Sequence, residues 1–414
     1  MTLKNGHNPS SIRISNRRLV LDILRNAEDI TVAQISKQIQ LSKTTLWKIV
    51  DHFMQSNMVV INGKAEASDE GGKKPELYRF NEFYGYVIAI AIYGSFISLA
   101  LTDAKARIFY KEIVYLEGDK SLNRVVEIIA NFIQKWQELG LPNIKKGAKL
   151  LGIVIASSGI VDWINGRCLT ASRFSSWPTG APIKDLIKER VEFKAPFYID
   201  NYNRFFAFAE KTIGCAREKR NIIDIVAGQD GLGAGIIVDD NIKRGPRFLT
   251  GEIGHMCLNA NDEETCHCGG KGCFEQLVSC ERLINKAEKG RAEHPGSAIY
   301  KDDSATVKLQ DIFDAANAGD AWGRQLLDEI IHWFAIAIQN VSLVFNSEIV
   351  IVSGDYRKAG AYFLQQLSEK MERVSLIRMS KEIQICYSSF DEEGALLGAA
   401  CYVLHDYFAQ RLQF

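Results

Sequence analysis

Gly251-Glu252-Ile253-Gly254-His255, followed after ten residues by Cys266-His267-Cys268-Gly269-Gly270-Lys271-Gly272-Cys273-Phe274-Glu275, is the most informative stretch of this 414-residue chain. Zinc takes four soft or borderline ligands in a tetrahedron, and a C-x-C-x4-C run with glycines between the thiols lets one tight loop wrap three thiolates around an ion. Cys266, Cys268 and Cys273 supply the thiolates and His255 can close the site; His267 and Cys257 remain alternative ligands. Three thiolates and one imidazole leave no open coordination position, so the expected ion is a structural Zn2+ rather than a catalytic one.

Outward from this loop the chain reads as an α/β body. Paired strands are expected in the apolar run Tyr86–Leu101, a helix over Leu122–Leu139, and strands at Leu151–Ala156, Pro196–Ile199 and Ile222–Ala227. A long amphipathic helix is expected over Asp328–Val344, then a nearly all-apolar strand, Ile349–Val352, of the kind buried on both faces. Internal repeats and low-complexity stretches are lacking.

The first eighty residues have a different character. Leu19, Val20, Ile23 and Leu24 mark one helix face, and Val32, Ile35 and Ile39 a second, which Thr31 can cap. Ser42 is a good N-cap for a third helix, in which Leu46, Ile49, Val50, Phe53 and Met54 recur at helical spacing. The opposite face offers Lys43, Thr44, Thr45, Trp47 and Lys48 near the helix start, where a recognition helix meets base edges and phosphates. Met58–Ile61 and Leu77–Phe80 then read as the strands of a wing, whose loop Gly71-Gly72-Lys73-Lys74-Pro75 brings two cations to DNA phosphates or the minor groove. Arg13, Arg17 and Arg18 are expected to add a basic arm.

Composition agrees with a division of labour. The net charge is zero, yet residues 1–64 hold nine Lys and Arg against four Asp and Glu, a local excess that suits a polyanionic partner. At this length more than one core is expected. No apolar stretch near Met1 resembles a secretion signal, and Tyr86–Leu101 is shorter than the roughly 20 residues that span a bilayer. With nine cysteines, three of them crowded into the glycine-rich loop, the usage suits metal binding in a reducing compartment. A cytoplasmic protein without a membrane partner is expected.

The stretch Gly251–Glu275 matches the signature of the ROK family (repressor, open reading frame, kinase), Gly-Glu-x-Gly-His followed by Cys-x-Cys-Gly-x-x-Gly-Cys-x-Glu. The resemblance extends through Ser158-Gly159-Ile160-Val161-Asp162, Gly231-Leu232-Gly233-Ala234-Gly235, Asn346–Gly354 and Glu393–Ala400. At the N-terminus, Asn8–Arg18, Leu41–Thr45 and Gly71–Pro75 resemble the DNA-binding domain of the family's repressors. The likeness implies a winged helix-turn-helix at 1–82 and a two-lobed, actin-like, sugar-kinase-like ATPase fold. Its first lobe would be 83–198 completed by 392–414, and its second lobe, with the zinc site, 199–391. It also implies a sugar in the cleft, contacted by Asn201, Glu252, His255 and Glu275, whose carboxylates, amide and ring can each serve sugar hydroxyls.

The sequence departs from the family's kinases at two places. Asp-x-Gly-Gly-Thr of the first hairpin becomes Ala91-Ile92-Tyr93-Gly94-Ser95, losing the Asp and gaining a bulky Tyr. In the Glu-Asn-Asp segment, aligned on Glu210, Asp200-Asn201-Tyr202 puts a phenol, with a pKa near about 10, at the position of the general base. Asp200 could still reach a sugar hydroxyl. Arg173, where relatives place an Asn, is expected in a solvated loop, with contact to a sugar phosphate as the alternative. The combined reading is a non-enzymatic, sugar-responsive regulator, a homodimer or homotetramer that binds double-stranded operator DNA. The competing readings are an ATP-dependent sugar kinase with a DNA-binding appendage, and a regulator controlled by a protein partner.

Overall fold

The computed structural model describes residues 9–66, 74–139, 148–171, 173–301, 306–374 and 383–412. The N-terminal unit is built from α1 (Pro9–Asn26), α2 (Val32–Gln38), α3 (Lys43–Gln55), β1 (Val59–Lys64) and β2 (Glu76–Phe80). Thr31 starts α2 with a reciprocal cap: its hydroxyl accepts from the Gln34 backbone N–H and its own N–H donates to the Gln34 side chain. Ser42 caps α3, which buries Leu46, Ile49, Val50 and Phe53. β1 and β2 pair antiparallel, and Ile30 bridges to Tyr78, so the strand pair lies against the helices as a wing.

The body holds two five-stranded sheets of like topology. The first comprises β3 (Gly85–Ile92), β4 (Phe96–Asp103), β5 (Ile108–Tyr115), β6 (Lys149–Ser157) and β9 (Phe197–Asn201), with α4 (Leu122–Leu139), the small hairpin β7 (Ile160–Asp162) and β8 (Arg167–Thr170), and α5 (Ile183–Lys188) between its strands. After α6 (Tyr202–Ile213) come β10 (Ile222–Gly228), β11 (Gly231–Val238) and β12 (Asn241–Ile242), then α7 (Phe274–Leu277), α8 (Cys280–Lys289), α9 (Leu309–Ala318) and α10 (Ala321–Phe345). β13 (Ile349–Gly354), α11 (Gly360–Val374), β14 (Gln384–Tyr387) and α12 (Gly394–Arg411) close the chain. In each sheet a three-stranded antiparallel unit continues into parallel strands: β5-β4-β3 into β6 and β9, and β12-β11-β10 into β13 and β14. The central strands β3, β10 and β13 are buried nearly throughout, because both faces are covered.

α6 and α12 cross closely and lie against both β3–β6 and β10–β11. Gly398 makes the crossing possible: a Cβ there would sit 1.8 Å from the Phe205 carbonyl oxygen. The apolar core around this pair runs without a break into the N-terminal unit, joining Leu396, Val403 and Phe408 to Tyr84, Phe80, Leu24 and Val20. The N-terminal unit is therefore docked on the body rather than tethered beside it.

Candidate functional site

On α3 the backbone presents Lys43, Thr44, Trp47 and Lys48 to solvent. The Ser42 and Thr45 hydroxyls lie 2.9 Å apart and serve the helix cap, so these two residues set the geometry of the face before they can read anything. Trp47 meets the ring of Tyr78 on β2 edge-on, centroids 5.9 Å apart, which fixes the wing against α3. Lys74 is exposed at the start of the returning wing strand, and Lys73 lies outside the described residues.

The arm departs from expectation. Arg13 is exposed on α1, but Arg17 donates to the Leu412 carbonyl at 3.3 Å and Arg18 contacts the His405 ring, both beside or on α12. Arg25 stacks on Phe408 at 5.1 Å. The sequence places these arginines on one helix with Arg13; only the docking of α1 on the C-terminal helix turns Arg17 and Arg18 to the body.

In the glycine-rich loop, ligand atoms of His255, Cys266, Cys268 and Cys273 all lie within 4.8 Å of one another. Cys268 and Cys273 Sγ are 3.6 Å apart, and Cys266 Sγ is 3.8 Å from His255 Nδ1. Bonds of about 2.3 Å to sulfur in a tetrahedron give edges of about 3.8 Å, so the donor set fits a zinc-sized ion. Gly272, at φ +65°, forms the bend and is backed so closely by the Asn259 carbonyl that no Cβ could be accommodated. Cys257 bridges Cys273 through the backbone alone, and its thiol is outside the cluster. His267 makes a second grouping with Cys266 and Glu275, its Nδ1 3.2 Å from Glu275 Oε1.

The residues expected to meet a sugar surround the start of α6. Asn201 caps that helix, accepting from the Asn203 N–H at 2.9 Å and donating to the Gly159 carbonyl at 2.7 Å. Glu275 accepts from the Leu232 N–H at 2.6 Å. Glu252 accepts no hydrogen bond among the described residues; burial raises its carboxyl pKa, Arg204 opposes this, and Glu275 adds to it. With Nδ1 of His255 facing the thiols, Nε2 is the ring atom left for a ligand. A cavity of about 840 Å³ opens beside Glu275, His267 and Arg173. It meets a second, of about 710 Å³, at the β10–β11 turn.

The family model described as ROK family matches residues 87–406. The chain belongs to the ROK family. The xylose repressor of Caldicellulosiruptor bescii is 28% identical over 402 residues, covering 96% of this chain and 98% of that protein. A glucokinase of Halalkalibacterium halodurans is 28% identical over 256 residues, 61% of this chain and 76% of its own length. A crystal structure of a ROK family transcriptional regulator, a homologue of the Escherichia coli Mlc protein, superposes with a TM-score of 0.76 over 97% of this chain and 99% of its own, at 20% identity. The whole architecture, N-terminal unit included, is thus a known ROK arrangement, with an actin-like, sugar-kinase-like body.

The residues that depart from the ROK kinase pattern lie in and beside the cleft. Ala91 is buried within β3, opposite Ser98 and Ala156. Tyr93 stacks on Phe96 with centroids 4.6 Å apart, lies 6.0 Å from the Tyr202 ring, and donates to the Glu392 carbonyl at 2.7 Å. These rings wall the 710 Å³ cavity between the sheets. Burial pushes the Tyr202 phenol well above its ordinary range, with Asp230, Glu275 and Glu252 adding to the rise and Arg173 opposing it, so the group is a neutral phenol at neutral pH.

Asp200 is buried and paired: its two oxygens accept from Arg204 Nη1 and Arg244 Nε, each at 2.6 Å. Arg204 Nη2 donates to the Phe248 and Thr250 carbonyls while its buried Nε has no partner among the described residues, and Arg244 lies over the Trp163 ring at 4.5 Å. Arg173 is exposed in the loop after β8, as expected, and its guanidinium also donates to the Gln229 and Asp230 carbonyls at the β10–β11 turn, tying that loop to the second sheet. Arg204, four residues after Asp200, left a signal in the sequence; Arg244, reached through the β12 loop, left none.

Proposed function

We propose that the chain is a sugar-responsive transcriptional repressor of carbohydrate-utilisation genes. One observation carries the reading: an exposed α3 face of helix-turn-helix type shares a continuous core with a sugar-kinase-like body whose base position is a buried phenol and whose neighbouring carboxylate is bound by two arginines. Relatives named xylose repressor match over almost the whole chain, while two matching glucokinases cover 61% and 76% of it. The reading divides the chain into a DNA reader at 1–82, a first lobe at 83–198 with 392–414, and a second lobe at 199–391.

In this account Lys43, Thr44, Trp47 and Lys48 meet operator DNA, with Ser42 and Thr45 holding the helix start and Arg13, Lys73 and Lys74 contacting phosphate. Asn201, Glu252, His255 and Glu275 hold a sugar or sugar phosphate. A Zn2+ ion held by His255, Cys266, Cys268 and Cys273 would supply a fixed cross-link with no open coordination position. His255 then presents Nε2 in a set orientation, Glu252 offers an unoccupied acceptor, and the two lobes close around the ring. Because α6 begins at the cleft and packs on α12, closure shifts α12 and the docked DNA reader. Two copies, as a homodimer or within a homotetramer, would present paired α3 helices to half-sites about one helical turn apart. The protein is not an enzyme in this account, and it acts in the cytoplasm.

The test is a thermal-stability screen against aldoses, amino sugars and their phosphates, run beside Glu252→Ala. A sugar that raises the midpoint of the parent and leaves the variant unmoved supports the cleft assignment. Equal shifts in both, or none with any sugar, overturn it.

A further inference from the structure

Two cysteines outside the metal loop lie together although 171 residues separate them in sequence. Cys215, exposed in the turn after α6, and Cys386, half-buried on the edge strand β14, have their sulfurs 3.5 Å apart. We propose that they are a redox modification site, a dithiol that a peroxide closes to a disulfide.

The pair is held in place from behind. Glu210, fully buried on α6, accepts from the Cys215 N–H at 2.9 Å with Oε2, and from the Ser388 hydroxyl at 2.7 Å and the Ser389 N–H at 2.6 Å with Oε1. One carboxylate thus fastens both cysteine-bearing segments, and a bond of about 2.0 Å needs only a small approach of the sulfurs. The thiol hydrogen bond from Cys215 lowers the Cys386 pKa and raises its own. The proposal takes Cys386 as the nucleophile and Cys215 as the resolving thiol. Cys168, Cys280 and Cys401 are buried, and burial pushes each thiol up to about 12, which leaves them inert by comparison.

The chemistry balances with hydrogen peroxide as oxidant. The Cys386 thiolate attacks one peroxide oxygen, the O–O bond breaks, and the departing hydroxide takes the proton lost by the thiol to leave as water. The resulting sulfenic acid is attacked by Cys215, an S–S bond forms, the S–O bond breaks, and a second water leaves with the Cys215 proton. Two thiols are oxidised by two electrons and one peroxide is reduced. The bond would pin the end of α6 to β14, on the helix whose other end carries Asn201 and Tyr202.

The experiment uses zinc-loaded full-length protein, one equivalent of hydrogen peroxide, a rapid thiol quench and peptide mass mapping. The expected product is a linked Cys215–Cys386 peptide pair two hydrogens lighter, lost on dithiothreitol treatment and formed before any other cysteine is oxidised. In Cys215→Ser the link is absent and dimedone labels Cys386, which separates a reactive pair from a misfolded one. Oxidation of Cys257 or the metal-loop thiols with no linked pair, or an unlabelled Cys386 in Cys215→Ser, overturns the proposal.

Discussion

The ring of Phe80, the last residue of the wing, meets the ring of Phe408 on α12 edge-on with centroids 5.8 Å apart. Both rings are buried, and Arg25 of α1 lies over both, 5.9 and 5.1 Å from their centroids. In the proposed account, this contact is where a movement of the body would reach the DNA reader.

Phe408→Ala removes the contact. Truncating a buried Phe costs about 3 to 5 kcal/mol, and chemical denaturation should register a loss of that size. Phe408→Leu, which keeps most of the apolar volume, should fold and bind operator while showing a weakened sugar response. An unchanged response in Phe408→Leu would mean that coupling runs by another route.

Removing Asp200 takes from Arg204 and Arg244 the carboxylate that both contact directly. Breaking a buried pair on one side costs about 3 to 5 kcal/mol, so Asp200→Ala should be strongly destabilised in urea unfolding. Neither parent nor variant should phosphorylate a sugar. With ATP, magnesium and any common aldose, turnover should stay below about 1 s⁻¹, the low end for kinases. A parent above that rate would revive the kinase reading.

Much of this was legible in the sequence, and the exceptions have physical causes. α3 was readable because a serine cap and a helical apolar spacing agree with tertiary burial. α10 starts at Ala321, seven residues before the expected Asp328, because Asp320 caps it by accepting from the Gly323 N–H. β5 alternates inward and outward on a sheet edge, a weaker pattern than the solid apolar runs of β3 and β13. In the candidate site the grouping of His255 with Cys266, Cys268 and Cys273 could be read from spacing, since these residues are close in sequence. The Asp200–Arg244 pair and the turning of Arg17 and Arg18 toward α12 could not, because long-range docking produces them.

The metal loop should hold one zinc per chain through His255, Cys266, Cys268 and Cys273. Elemental analysis of protein purified without chelator should return a ratio near one, and Cys268→Ser should lower it and reduce both thermal midpoint and sugar response. Full zinc retention by Cys268→Ser, or none in the parent, would contradict the assignment.

The α1–α12 junction should weaken in mild acid. Burial, with Arg18 and Arg25 adding and Asp406 opposing, holds the His405 pKa down to about 4 from 6.5. Arg18 can only donate, so His405 must accept as a neutral ring, while the ring of Phe208 covers one side. Between those two pH values the unfolded chain binds a proton that the folded chain does not, so stability falls as pH is lowered through that window. Solvent at the exposed side of the ring screens part of the penalty, and the slope should be shallow. Denaturation midpoints at pH 7, 6 and 5 should show it, with a flatter profile for His405→Gln; identical profiles would remove His405 from the account.

The most direct test of the central claim is an operator titration with and without the sugar selected by the stability screen, at fixed salt. A coupling of about 1 to 3 kcal/mol predicts an affinity change of roughly 5- to 150-fold in the parent, and none in Glu252→Ala, which should still bind the operator. Superimposable curves for the parent would contradict the account, because the cleft would then not control DNA binding.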